Sequence, residues 1–350
     1  MKMILWTVLI MSGSLIGLIA WTSYPWSTQE KSVKPEIVHV EPDTMMEVSE
    51  TPSVLKILTF NIGFLYGRGS EGPGYQHREL EYYQKTIDSL SKEIKDWDAD
   101  VVCLQEIDFD SARSHGINQA EYIAKKAGYP YVAEAVSWES NYIPFPYWPM
   151  KNNFGHMKSG GAIISKYPLT DHEVILLHKP MSQPWWYNLF YLHRYFQRVT
   201  INVGEKKFKI INLHLEAFDK VDRKAQTEKL VLIVKDQNID IVAGDFNTLP
   251  ASATKRSKFY NEDNYENDSS YEVMATAGLS EVIPDDIYAK DESLYFTFPA
   301  WAPDRRLDYI WYKRDLKMMK AEVLPSAISD HLPLRASFQI DGPRFNPYSQ

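Results

Sequence analysis

The sequence predicts an α/β fold built on mixed or antiparallel β-sheets, and three observations carry that prediction. Short runs of β-favouring residues recur along the chain, and several follow one another with no helix between them. Only a few segments repeat apolar residues at helical spacing. There is no internal repeat of the strand-then-helix kind that marks a simple parallel sheet. The 350 residues are 44% hydrophobic and 24% charged, which is ample material for a core. Length alone would give about two domains of roughly 150 residues, but large α/β sandwiches exceed that size as one unit.

The chain opens on Ile4–Trp21, a stretch without a charge, preceded by Lys2. At ~1.5 Å per residue a helix of that length spans ~27 Å, enough to cross a bilayer. A secretory signal has a shorter apolar region and small residues before its cleavage point, whereas Ala20 here has Leu18 two positions earlier. Residues 1–21 therefore read as an uncleaved signal-anchor, with a cleaved signal peptide as the alternative. Lys2 and the terminal amine place the N-terminus in the cytoplasm, so the rest of the chain is extracytoplasmic and held by a single pass. Signal cleavage would instead give a secreted or periplasmic protein.

Residues 22–54 read as a flexible linker: Pro25, Pro35, Pro42 and Pro52 punctuate a Glu-, Ser- and Thr-rich stretch without periodicity. From Leu55 the pattern changes, and 55–340 reads as the folded domain, with 341–350 as a C-terminal tail. Leu55–Phe60 is a strand running into Asn61. Leu80, Tyr83, Ile87, Leu90, Ile94 and Trp97 mark an amphipathic helix. Val101–Leu104 is a strand ending in Gln105-Glu106, and Gln119–Ala127 a helix closed by Gly128. Gly160–Ser165 is a strand, and Arg198–Val203 with Phe208–Leu213 a hairpin around Gly204-Glu205. A helix over Gln226–Gln237 leads into the strand ending Gly244-Asp245. Asp268–Ala277 is a helix, and Leu307–Tyr312 and Leu334–Ile340 are late strands. Two aromatic, loop-like insertions lie at 137–158 and 184–196.

Several of these strands end in residues that a core does not favour. Asn61, Glu106, His214, Asp245 with Asn247, Asp308, and Asp330-His331 all sit at or beside the end of an apolar run. Asp245 and Asn247 are two positions apart, so on an extended chain both project to one face. A carboxylate there can orient or deprotonate water, and an amide can hold a phosphoryl oxygen as charge builds. Taken singly, each of these residues also suits a turn, a cap or a satisfied strand edge. His214 could pair with a backbone carbonyl, and Asp308 with Arg305 or Arg306.

The set as a whole resembles the endonuclease/exonuclease/phosphatase superfamily, which includes DNase I-like nucleases, neutral sphingomyelinases and inositol polyphosphate phosphatases. The matching pieces occur in family order over about 55–340: Thr59-Phe60-Asn61-Ile62, Leu104-Gln105-Glu106, Gly161–Ser165, Asn212-Leu213-His214-Leu215, Gly244-Asp245-Phe246-Asn247, Leu307–Ile310 and Ser329–Leu334. The resemblance implies a four-layer α/β sandwich of DNase I type, two packed sheets with helices outside, and a site where strand ends converge. It also implies a metal-dependent phosphoesterase. Glu106 would be the main ligand of a hard divalent cation, with Asn61 nearby and Asp330 joining the shell or holding a second ion; Mg²⁺ is implied, with Mn²⁺ or Ca²⁺ as alternatives. Asp245 would act on water and Asn247 on a non-bridging oxygen. His331, oriented by Asp308, would contact the phosphate, as would Arg198. His214 would be a phosphate ligand or the acid for the leaving oxygen.

The substrate is less well marked. A net charge of -8 argues against a general nucleic-acid binder, and no Lys/Arg run interleaves with aromatics to track a strand. The anchor and the aromatic insertions favour a phospholipid headgroup, in the manner of a sphingomyelinase, with DNA or RNA as the alternative substrate. The same aromatics would equally serve as packed loop clusters. A fold retained for binding with a dead site is the third reading, and the completeness of the polar set argues against it. The membrane is expected as a partner through the N-terminal helix, and no protein partner is expected. Cys103 lies inside Val101–Leu104 and reads as a small buried hydrophobe; one cysteine allows no intrachain disulfide.

Overall fold

The computed structural model describes residues 2–25, 27, 29–45, 52–67 and 77–340. The tail assigned to 341–350 lies outside them. In chain order the helices are Lys2–Thr22 (α1), Leu80–Asp96 (α2), Gln119–Ala127 (α3), Trp185–Asn188 (α4), Lys220–Gln237 (α5), Ser270–Ala275 (α6) and Asp285–Tyr288 (α7). The strands are Lys31–Val33 (β1), Ile37–His39 (β2), Val54–Asn61 (β3), Val101–Asp108 (β4), Tyr131–Ile143 (β5), Gly155–Ser165 (β6), Leu169–Leu176 (β7), Tyr195–Val203 (β8), Lys206–His214 (β9), Ile241–Asp245 (β10), Leu279–Glu281 (β11), Asp308–Lys313 (β12), Lys317–Val323 (β13) and Leu334–Gln339 (β14).

Among the described residues the strands form two 7-stranded sheets, ordered β1-β7-β8-β9-β10-β12-β11 and β13-β14-β3-β4-β6-β5-β2. Each is mixed: β9–β10 and β3–β4 run parallel, and their other pairings are antiparallel. Period-two alternation builds the layers. Leu55, Ile57, Val101 and Cys103 of one sheet meet Val199, Ile201, Ile210, Ile241 and Ile310 of the other in a buried layer between the sheets. The alternate residues Leu58 and Phe60 turn outward onto Tyr83, Ile87 and Leu90 of α2 and Ile123 of α3. On the opposite face Phe196, Ile211 and Leu213 meet Leu230, Val231 and Val234 of α5 and Met274 of α6. The result is the four-layer sandwich that the sequence implies.

Polar side chains cross the inter-sheet layer near one end. Gln105 Nε2 donates to Asn212 Oδ1 at 2.7 Å, and Asn212 Nδ2 donates to the Leu104 carbonyl at 3.0 Å and to Gln197 Oε1 at 3.0 Å. These bonds tie the two sheets together beneath the strand ends that carry the site. A buried amide without partners would cost on the order of 1–3 kcal/mol, so the network also fixes how the sheets face each other.

Four expectations change. The linker assigned to 22–54 includes structure: β1 pairs with β7 at the edge of one sheet and β2 pairs with β5 at the edge of the other. Pro35 falls between these two short strands, and His172 Nδ1 meets its carbonyl at 3.2 Å. The insertion at 137–158 is mostly the β5–β6 hairpin, with its prolines confined to the turn. Strands β7, β11 and β13, and the first half of β5, fall where the sequence patterning marks no strand. Helix α5 starts at Lys220 instead of Gln226, because the Asp219 side chain accepts from the Val221 and Asp222 amides at 2.8 and 3.0 Å.

Candidate active site

The register of the strands places the polar residues in one row. In one sheet, β8, β9, β10 and β12 set Tyr195, His214, Asp245 and Asp308 side by side at the same end. In the other, Asn61 pairs with Gln105. Glu106 would point away from the cleft in a regular strand. A bulge falls between Gln105 and Ile107, and Glu106 takes φ 52°, which re-aims its carboxylate. Gly244 has φ 151°, and a Cβ there would fall on the Leu213 carbonyl oxygen, so only glycine lets β10 approach β9 closely enough to set Asp245 beside His214. Asn247 sits at φ 50°, a left-handed conformation that asparagine tolerates better than most residues.

Three nitrogens converge on Asp245 Oδ2: Asn61 Nδ2 at 3.0 Å, His214 Nε2 at 3.5 Å and His331 Nε2 at 3.7 Å. Its other oxygen, Oδ1, accepts from the Asn247 amide at 2.9 Å. His331 Nδ1 bonds Asp308 Oδ2 at 2.8 Å, which sets the ring so that Nε2 faces Asp245. Asp308 therefore pairs with neither neighbouring arginine; Arg305 binds Asp263 and Asp304, and Arg306 binds Glu281. Burial opposes charge on His331, but Asp308 and Asp245 outweigh it and hold its pKa well above the ordinary value. Both carboxylates therefore favour the protonated form of the His331 ring.

His214 is the opposite case. Burial, then the Arg194 guanidinium and His331, hold its pKa well below the ordinary value. Arg194 Nη1 lies 2.6 Å from His214 Nε2, and a guanidinium has only donors, so Nε2 is the acceptor and the ring is neutral. His214, expected as a phosphate ligand or as the acid for the leaving oxygen, holds Arg194 in this arrangement.

The structure places Arg198, expected at the phosphate, away from the cleft, and it brings Arg194 there in its place. Arg198 lies farther along β8, pairs with Glu173 at 2.7 Å and also binds Gln237 of α5. Alternation explains this: Tyr195 and Gln197 face the cleft and the other sheet, while Phe196 and Arg198 face the helix layer. Arg194, just ahead of β8, is fully enclosed by Tyr191, Glu216 and His214 and lines the cleft. Tyr195 was also missed. It is buried, lines the cleft, and its hydroxyl has no hydrogen-bond partner among the described residues. Both lie in the aromatic segment 184–196, and the polar residue types within that segment were the available signal.

These groups line a cleft of about 480 Å³, with Phe64, Trp138, Phe145, Tyr191 and Phe218 among its walls. The family model described as Endonuclease/Exonuclease/phosphatase matches residues 58–331. The chain belongs to this family. As a member of it, the protein is a metal-dependent phosphoesterase. Among curated proteins, none matches the chain significantly in sequence. Solved structures share the family fold at low identity. An endonuclease/exonuclease/phosphatase from Beutenbergia cavernae is 19% identical with TM-score 0.59, over 83% of this chain and 72% of that one. The human Nocturnin catalytic domain with bound sulfate is 20% identical with TM-score 0.51, over 87% and 98%. A mannosyl-6-phosphatase from Bacteroides thetaiotaomicron is 12% identical with TM-score 0.52, over 81% and 99%.

The donor set fits the divalent metal that the family uses. Burial raises the Glu106 carboxyl to about 7, with the Asp330 carboxylate adding to the rise. A buried carboxylate with this penalty, beside a second carboxylate, is what a hard cation relieves. Asn61 Oδ1 accepts from the Gly63 amide at 3.1 Å, and its Nδ2 reaches Glu106 Oε1 at 3.3 Å. It orients the carboxylate of Glu106, which with Asp330 could hold the ion, with Asn61 nearby as expected. Asp245, Asp308 and His331 also cluster within 4.8 Å, but His331 is already engaged by Asp308 on one nitrogen and faces Asp245 with the other.

Proposed function

We propose that the protein is a membrane-anchored, Mg²⁺-dependent phosphodiesterase that hydrolyses a phospholipid headgroup ester, in the manner of a sphingomyelinase or phospholipase C. The observation that carries the chemistry is the convergence on Asp245 Oδ2, with the Asp308-backed His331 ring beside it. A bound Mg²⁺, held by Glu106 and Asp330, supplies neutralisation of phosphoryl charge. The chain's own residues do the rest. Asp245 orients the attacking water and accepts its proton as the new P–O bond forms, while the ester P–O bond opposite it breaks and the leaving alcohol oxygen takes its proton from solvent. The His331 Nε2–H and the Arg194 guanidinium hold non-bridging oxygens as charge builds in the transition state. Asn247 donates one side-chain N–H to the Leu215 carbonyl at 3.0 Å, which leaves the second for substrate. Tyr195 offers a hydroxyl that burial keeps protonated, its pKa well above the ordinary value.

The lipid assignment is supported by the aromatic cleft walls and by α1, whose most apolar 18 residues have a mean hydropathy of 2.2 and none of whose residues is buried. The proposed topology has one pass with the domain outside the cytoplasm. Full-length protein with Mg²⁺ is tested in parallel on sphingomyelin and phosphatidylcholine vesicles, plasmid DNA and a soluble chromogenic phosphodiester. Release of headgroup phosphoester supports the assignment. Cleavage of DNA with intact lipid replaces it with the nuclease reading.

A further inference from the structure

Helix α1 is joined directly to the rim of the cleft. The Trp21 and Thr22 carbonyls at its end accept from Asn141 Nδ2 at 2.9 Å and Ser140 Oγ at 2.7 Å, and the Asn141 amide donates to the Tyr24 carbonyl at 2.9 Å. Those two residues lie near the end of β5. At roughly 3.3 Å per residue, the hairpin turn beginning at Pro144 is about 10 Å from the point where α1 ends. The turn exposes Tyr147 at 65%, Trp148 at 78% and Met150 at 67%. It is held in shape by Asn153, whose Nδ2 donates to the Pro144 carbonyl at 2.7 Å and the Pro146 carbonyl at 2.5 Å.

A second exposed patch stands next to it. Trp185 and Trp186 of α4 are 72% and 56% exposed, and Trp138 Nε1 of β5 donates to the Phe190 carbonyl at 2.9 Å, which binds this segment to the hairpin. Large apolar side chains left in water on two adjoining, well-braced elements are unusual for a monomer surface. Tryptophan and tyrosine at the end of a membrane span favour the headgroup layer.

We propose that the 145–150 turn and α4 form a membrane-docking surface that lies in the headgroup layer of the bilayer crossed by α1, so that the cleft opens onto the membrane. The proposal commits to a lipid surface as the occupant because the span ends on the same hairpin. It rests on the anchor reading of α1 and deepens the lipid reading of the cleft. Phe145 belongs to both the turn and the cleft wall, so a lipid headgroup entering from the membrane passes directly into the site.

The sole cysteine, Cys103, is buried, so an environment-sensitive fluorophore can be placed on Trp148→Cys or Trp186→Cys in the full chain. Met319→Cys is the control: it is 56% exposed on β13, at the sheet edge opposite β5 and β2. In phosphatidylcholine vesicles carrying a headgroup-region spin label, quenching at 148 and 186 is predicted to exceed that at 319 by about threefold or more. Equal, weak quenching at all three positions, with α1 still holding the protein in the vesicle, overturns the surface. The triple variant Trp148→Ser, Trp185→Ser, Trp186→Ser is predicted to lose about tenfold in vesicle lipid turnover while a soluble phosphodiester is turned over as by wild type. Unchanged vesicle turnover in that variant also overturns the surface. Loss of soluble-substrate turnover in wild type would instead remove the phosphodiesterase reading, and the fluorescence result stands apart from it.

Discussion

At Asp245 Oδ2 the amide of Asn61 and the rings of His214 and His331 meet within 3.7 Å, and the two rings favour opposite protonation. That difference makes distinct predictions for residues of one type. His331→Gln removes the imidazolium and is expected to lower kcat by about 10²–10⁴. Asp308→Asn removes the carboxylate that holds the ring charged and oriented, and should reproduce much of that loss in steady-state kinetics. The arginines separate in the same way. Arg194→Gln should cost about 10²-fold or more in kcat/KM, whereas Arg198→Gln should leave turnover near wild type, because among the described residues its side chain bonds Glu173 and Gln237, away from the cleft. Equal effects of the two substitutions would contradict the assignment of Arg194. The residues that end strands were legible in the sequence because a charged or amide group after an apolar run is conspicuous. Arg194 and Tyr195 were not, because they stand at the start of a strand inside an aromatic segment. Their partners, His214 and Glu216, become neighbours only through the β8–β9 pairing.

Elements that make local contacts were legible, and those defined by distant pairing were not. Helix α2 follows from its apolar spacing, and α3 from the closing Gly128, which is left-handed in the structure. Strands β1 and β2 are three residues each and exist only because they pair with β7 and β5. Their attachment gives a pH prediction. His172 of β7 contacts the Pro35 carbonyl between them and is driven by burial to a pKa of about 4. Its folded value lies below the unfolded one, so the neutral ring is favoured and stability is complete above the unfolded pKa, roughly 6.5. Stability is then lost as pH falls from there toward 4, by on the order of 2 kcal/mol at pH 5. Denaturant unfolding at pH 7.5 and pH 5 should show this loss in wild type and a smaller one in His172→Gln. A second test at this scale is Gly161→Ala: its Cβ would fall on the Tyr195 hydroxyl, and a cost of about 1–3 kcal/mol is expected, with lowered turnover as Tyr195 is displaced.

The molecule as a whole joins one site to one long apolar helix. Two mixed sheets bring their polar strand ends to a single cleft, the Gln105–Asn212 contact locks the sheets beneath it, and α1 ends on the hairpin that forms the rim. Full-length protein is accordingly expected to stay with the membrane after alkaline carbonate extraction and to keep residues 1–22 by intact mass. Release with loss of those residues would identify a cleaved signal peptide instead. The chemistry itself does not depend on that outcome, and it is the central claim. The measurement that tests it most directly is turnover of a soluble chromogenic phosphodiester by wild type and Asp245→Asn, each with Mg²⁺ and with excess EDTA. The account predicts turnover in wild type with Mg²⁺ alone, and a loss of about 10³-fold or more in the folded variant. Turnover that persists in EDTA, or full activity in Asp245→Asn, would contradict it.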